Sequence, residues 1–165
     1  MQVTTAHPLV VAEPGRCVDV VVDVVNTSDL IDGVTARVIG LDQEAVHTVP
    51  AVLPLFPDSE GQITVTIDVP SSQPAGLHPL TIEVVSHGTG TASQYVDINL
   101  SVSARPSIDL SVTPRVLRGR RTGRFVGTVH NTGNVVLEAG LKGAVDDRRV
   151  GVRVTPDQLR LEPGA

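Results

Sequence analysis

The chain has 165 residues, 41% of them apolar but only 2% aromatic, with a formal net charge of −5; that is room for one or two domains, each with an ordinary core. No stretch approaches the roughly 20 apolar residues of a membrane-spanning helix. No long helical periodicity runs through it, and a single cysteine, Cys17, excludes an internal disulfide. The apolar residues are mostly Val, Leu and Ile among many Thr, Gly and Pro, the composition of short strands joined by turns.

An opening strand is expected over residues 3–12, followed by the turn Glu13-Pro14-Gly15. In residues 17–25, Val18, Val20, Val22 and Val24 share one face, and Asp19 and Asp23 point the other way as solvating edge charges. Cys17 falls on the outward side, where a free thiol suits a reducing compartment. Asn26-Thr27-Ser28-Asp29 leaves that strand, and residues 33–39 form the next, ending at Gly40. Pro50, Pro54 and Pro57 confine any strand in residues 49–56 to a sheet edge. Residues 62–69, 79–86 and 95–103 alternate apolar and polar, and a loop over residues 87–93 joins the last two. About seven strands in about 104 residues, with turn signals every 8–12 residues, indicate an immunoglobulin-like β-sandwich. The fold class read from the sequence is therefore all-β.

After a stiff linker, Ala104-Arg105-Pro106, the pattern starts again. Asn26-Thr27 matches Asn131-Thr132, Gly40 matches Gly143, Pro50 matches Pro156, and Pro57 matches Pro163. The offsets are 105, 103, 106 and 106, the length of a whole domain. Strands are expected over residues 108–112, 124–130 (the counterpart of 17–25), 135–141 and 150–154. Counterparts of the first copy's last three strands do not appear. The division is thus a complete sandwich over residues 1–104 and the N-terminal part of a second over 105–165. The second copy is expected to belong to a longer protein or to be completed by another chain, with bare edges that self-associate or borrow a strand.

Charge separates the copies as well. Residues 1–104 carry 2 basic and 12 acidic residues, a net of −10; residues 105–165 carry 11 and 6, a net of +5. Arg118, Arg120, Arg121 and Arg124 crowd one hairpin tip. They form a candidate patch for an acidic protein surface or anionic lipid headgroups. The commoner fate of such arginines is local pairing, here with Asp146, Asp147 or Glu138. Nucleic acid is not expected, because no aromatic residues interleave with the arginines to stack on bases.

Catalytic patterns are missing: no G-x-S-x-G, no H-E-x-x-H and no P-loop. His7, His47, His78, His87 and His130 have no metal-ligand spacing. Asp29, Asp32, Asp58 and Glu60 could supply oxygen ligands to calcium, but aspartates in turns ordinarily bond their own backbone. Asn26 and Asn131 read as turn residues for the same reason. No catalytic residue, cofactor or metal site is expected.

The run EPG, alternating valines, NTSD, PLFPDSEG and QPAGLHPLTIEV resembles bacterial immunoglobulin-like domains of the NPCBM-associated and CARDB types, most distinctively at Ala75-Gly76 to Val84. The tandem is similar to actinobacterial proteins labelled "hydrolytic protein", which carry two such domains ahead of a membrane helix. RGRRTGRF and the Asn131 to Asn134 turn are part of that likeness. It implies the fold and a membrane tether, and brings no catalytic residues. The expected function is a non-catalytic protein-interaction or spacer module. The alternative is an accessory, carbohydrate-binding-like domain of a larger hydrolase, which the lack of tryptophan and the lone Tyr95 disfavour as a sugar platform. A protein partner is expected; an anionic membrane surface and a homo-oligomer through open strand edges are further candidates. MQVTTAHPLVV lacks a basic leader and a cleavage site, so a cytoplasmic location, free or at the membrane face, is the expectation.

Overall fold

A computed structural model describes residues 1–88, 92–118, 122–147 and 149–165. The chain divides into two compact units, Met1–Ser103 and Ala104–Ala165. Among the described residues the first holds nine strands: β1 (Gln2–Thr5), β2 (Leu9–Ala12), β3 (Cys17–Val25), β4 (Asp32–Ile39), β5 (Val46–Val49), β6 (Leu53–Leu55), β7 (Glu60–Asp68), β8 (Gly76–Ser86) and β9 (Ala92–Val102). They form a four-stranded sheet in the order β1-β3-β7-β5 and a five-stranded sheet in the order β2-β9-β8-β4-β6. All pairs are antiparallel except β2 with β9. The protein is all-β, and this unit is an immunoglobulin-like sandwich.

Alternation builds the core. Val20, Val22 and Val24 of β3 and Ile63, Val65 and Ile67 of β7 point inward from one sheet. Val34 of β4, Ile82 and Val84 of β8, and Ile98 and Leu100 of β9 meet them from the other. Each such side chain contributes about 1.5–3 kcal/mol on leaving water, so Val, Ile and Leu suffice without aromatics.

Among the described residues the first unit has nine strands, not seven, because two segments change sheets. Residues 3–12 are not one strand. Pro8 cannot donate to a ladder, and its carbonyl instead accepts the Asn99 amide at 2.7 Å, which starts β2 along β9. Residues 49–56 likewise give way to β5 and β6, edge strands of opposite sheets either side of Pro50. The loop expected at 87–93 is shorter, since β9 already begins at Ala92; residues 89–91 lie outside the described residues.

The second unit has β10 (Ile108–Thr113), β11 (Val126–Asn131), β12 (Leu137–Gly140) and β13 (Gln158–Leu161). They form two separate two-stranded antiparallel ladders, β10-β11 and β12-β13. The pairing repeats the first unit's. Leu137 faces Leu161 as Asp32 faces Leu55, an offset of 105 and 106 residues. Among the described residues, nothing corresponds to β7, β8 or β9.

Residues 150–154 are not a strand, contrary to the sequence expectation. They correspond to the start of β5, which in the first unit pairs with β7; among the described residues they join no ladder. Val152 instead packs on Gly143, where an added Cβ would lie 2.3 Å from a Val152 methyl. That also separates Gly143 from its sequence match. Gly40 adopts a left-handed φ of 88° and Gly143 does not.

Candidate interaction surface

The same polar corner organises both units. Asn26, at the end of β3, is buried, and its Nδ2 donates to the carbonyls of Leu30 at 2.8 Å, Leu55 at 3.2 Å and Phe56 at 3.2 Å. Its Oδ1 accepts the Ser28 amide at 3.0 Å. In the second unit, buried Asn131 donates to Val135 O at 2.8 Å and Leu161 O at 3.0 Å and accepts the Gly133 amide at 3.0 Å. Each asparagine ties the exit of one strand to a distant strand, satisfying backbone groups that burial would otherwise penalise.

The corner also sets the first rung of a ladder. The Asn26 amide donates to Ser59 O at 2.9 Å, and β3 and β7 then pair from Val25↔Glu60 to Cys17↔Asp68. The Asn131 amide donates to an Ala165 oxygen at 2.8 Å, and the Gly164 amide returns to Asn131 O at 3.0 Å. The turns match too: Asp58 and Gly164 both take positive φ, 55° and 78°. Among the described residues, β11 forms its ladder with β10.

One face of the β10-β11 ladder is apolar. Ile108, Leu110 and Val112 alternate along β10 opposite Asn131, Val129 and Gly127, and Phe125 continues the face before β11. Ile108, Leu110, Val112 and Phe125 are 50%, 56%, 46% and 52% exposed, whereas Val22 and Val24 of β3 are 0% exposed. Among the described residues, none of the second unit's apolar side chains joins the buried core.

Arg118 and Arg124 are exposed, and no ion pair to either is present among the described residues. Arg120 and Arg121 lie outside the described residues. Leu117 packs on Gly123, where an added Cβ would lie 2.7 Å from Leu117 Cδ2. Asp147 pairs with Arg149 at 3.7 Å instead.

Elsewhere, polar groups satisfy one another. Buried Asp32 accepts bonds from Ser86 Oγ and from the His87 amide at 3.1 Å, so its carboxylate is occupied by the fold. Glu83, buried on the outer face of β8, sits in a row with Arg37 and Tyr95 on the flanking strands. The Arg37 guanidinium donates to it at 2.5 Å, and bonds from Ser93 and Tyr95 help hold its carboxyl below the usual range. The exposed Cys17 thiol donates to Asp68 at 2.8 Å, which raises its pKa and suppresses thiolate formation. His47 lies 3.7 Å from Asp68, and His87 bonds Thr35 at 2.9 Å. Among the described residues, no three His, Cys, Asp or Glu side chains converge as a metal site, and no helix is long and apolar enough to cross a membrane. The sequence pointed to the arginines but missed the apolar β10-β11 face, although Ile108, Leu110 and Val112 alternate visibly.

No family model and no curated protein matches the chain. Solved structures resemble it at the level of fold. PapD-like domain 7 of human CEP192 is 12% identical over 61% of this chain and 84% of its own, with a TM-score of 0.45. The CupB2 chaperone of Pseudomonas aeruginosa is 13% identical over 82% and 72%, with a TM-score of 0.46. A family 123 glycoside hydrolase from Clostridium perfringens is 13% identical over 56% of this chain and 22% of its own, with a TM-score of 0.46. Each is a likeness of architecture and transfers neither activity nor partner.

Proposed function

We propose that the chain is a non-catalytic interaction module of tandem immunoglobulin-like units, in which the first unit is a spacer and the second engages a protein partner. The observation that carries this reading is the apolar face of Ile108, Leu110, Val112 and Phe125, about half exposed among the described residues. Contiguous exposed apolar surface of this kind marks interaction sites. Arg118 and Arg124 border the same unit and favour an acidic partner. The sequence resemblance to membrane-tethered actinobacterial proteins supports a place at a bacterial membrane. A photo-cross-linking residue at Phe125, compared with one at the exposed Glu44 of the first unit, tests the proposal in native cells. Discrete protein adducts confined to position 125 are expected. Equal adducts at both positions, or none at 125, would reject it.

A further inference from the structure

We propose that the corner of the first unit built on Asn26 and Asp32 is a docking site for a basic segment of a partner protein that carries an apolar anchor. It adds to the spacing role of this unit a surface that shares no residue with the β10-β11 face.

Three loops meet there. Leu30 and Ile31 lie in the loop that leaves β3, Phe56 and Pro57 follow β6, and His87 and Gly88 follow β8; with Asp29 they line one shallow groove of about 760 Å³. Leu30, Ile31 and Phe56 are 53%, 63% and 65% exposed, and none of them joins the core. Polar groups beneath fix the loops. Asn26 Nδ2 gathers the Leu30 and Phe56 carbonyls, and Ser28 Oγ donates to Leu30 O at 3.1 Å. The Asp32 carboxylate holds the His87 amide, and a Cβ added to Gly88 would lie 3.2 Å from its Oδ1. The His87 ring bonds Thr35 Oγ1. Loops ordered before a partner arrives spare binding the cost of ordering them.

The corner does not need its apolar side chains to form, because Asn26 grips main-chain carbonyls. The second unit builds the same corner on Asn131 with the Val135 and Leu161 carbonyls, and there Glu162 stands in the place of Phe56, paired with Arg160 at 3.4 Å. An exposed aromatic beside two exposed aliphatic residues in a groove is instead the arrangement of an interaction anchor.

Charge selects the occupant. Asp29 lines the groove and Asp58 follows Pro57; both are exposed, and neither has an ion pair among the described residues. The unit's two arginines are engaged elsewhere, Arg16 by Glu13 and Arg37 by Glu83. The Met1 ammonium bonds Thr27 Oγ1 at 2.7 Å and offsets one of these charges. Residues 1–104 still carry a net −10, which attracts a basic segment and repels anionic lipid headgroups.

The probe is a phage-displayed library of random peptides selected on the 165-residue protein. Enriched peptides are expected to be net basic with an aromatic or aliphatic anchor, and the consensus peptide should bind less tightly as salt is raised. Ile31→Ser with Phe56→Ser should weaken it about tenfold or more. Asp29→Asn with Asp58→Asn should weaken it about threefold; asparagine accepts the positive φ of Asp58, so this pair keeps the loop. Phe125→Ser should leave binding unchanged. No enrichment, enrichment of acidic or uncharged peptides, or binding that survives both pairs of substitutions overturns the proposal. Sedimentation with phosphatidylglycerol vesicles, or self-association, that Ile31→Ser with Phe56→Ser abolishes overturns the choice of occupant. Peptides held through Phe125 and not through Phe56 would remove this site and leave the reading of the second unit standing.

Discussion

Asn26 is 2% exposed, yet its side chain meets three carbonyls and the Ser28 amide and hydroxyl. Truncating it would leave several buried backbone groups without partners, at about 1–3 kcal/mol. Glu83 shows the charged version of the same logic. Its partner Arg37 lies directly opposite on β4 and holds the carboxyl below its usual range. A carboxyl with a depressed folded pKa adds stability above its unfolded value, near pH 4.3, and that stability is lost as pH falls through the folded value. Urea midpoints measured from about pH 7 down to pH 3 should therefore fall more steeply below about pH 4 in the native protein than in Glu83→Gln. Equal slopes for the two proteins would show that the Arg37-Glu83-Tyr95 row is not coupled to folding.

At the scale of elements, the linker and the second corner are joined by contact rather than by a ladder. The Asn134 amide and Oδ1 bond Arg105 O at 3.2 Å and Arg105 N at 2.7 Å, which brings the backbone at Gly133 against Arg105 and Ser107. A Cβ on Gly133 would lie 2.3 Å from Arg105 O, so even alanine requires backbone movement. Gly133→Ala should destabilise the second unit by about 1–3 kcal/mol or more and speed amide exchange in β11. Unchanged exchange at Asn131 and Gly133 would contradict this packing. Much of the first unit was legible in its sequence, because β3, β7, β8 and β9 each alternate over long runs and are paired on both sides. The short pieces were not. Whether residues 3–12 stay in one sheet depends on Pro8 and a bond to Asn99 far along the chain, and residues 150–154 look like a strand but join no ladder among the described residues. β13 was missed although Leu159 and Leu161 repeat Leu53 and Leu55. Of the candidate surface, the arginines were visible as composition, whereas the apolar face depends on how β10 and β11 pair.

For the whole molecule, the two units differ in what holds them. The first has a core of Val, Ile and Leu from both sheets. The second has two short ladders, the Asn131 corner and half-exposed apolar side chains. Since buried apolar area is the main favourable term in folding, the units should unfold at different temperatures. Calorimetry of the 165-residue chain should resolve two transitions, the lower belonging to residues 104–165. Asn131→Ala should depress only the lower, and Asn26→Ala only the upper, the latter by about 5–15 °C for a loss of 1–3 kcal/mol in a domain of this size. A single transition shifted by both asparagine substitutions would mean that the units fold as one, and that the second unit's exposed face is not an independent feature of the chain.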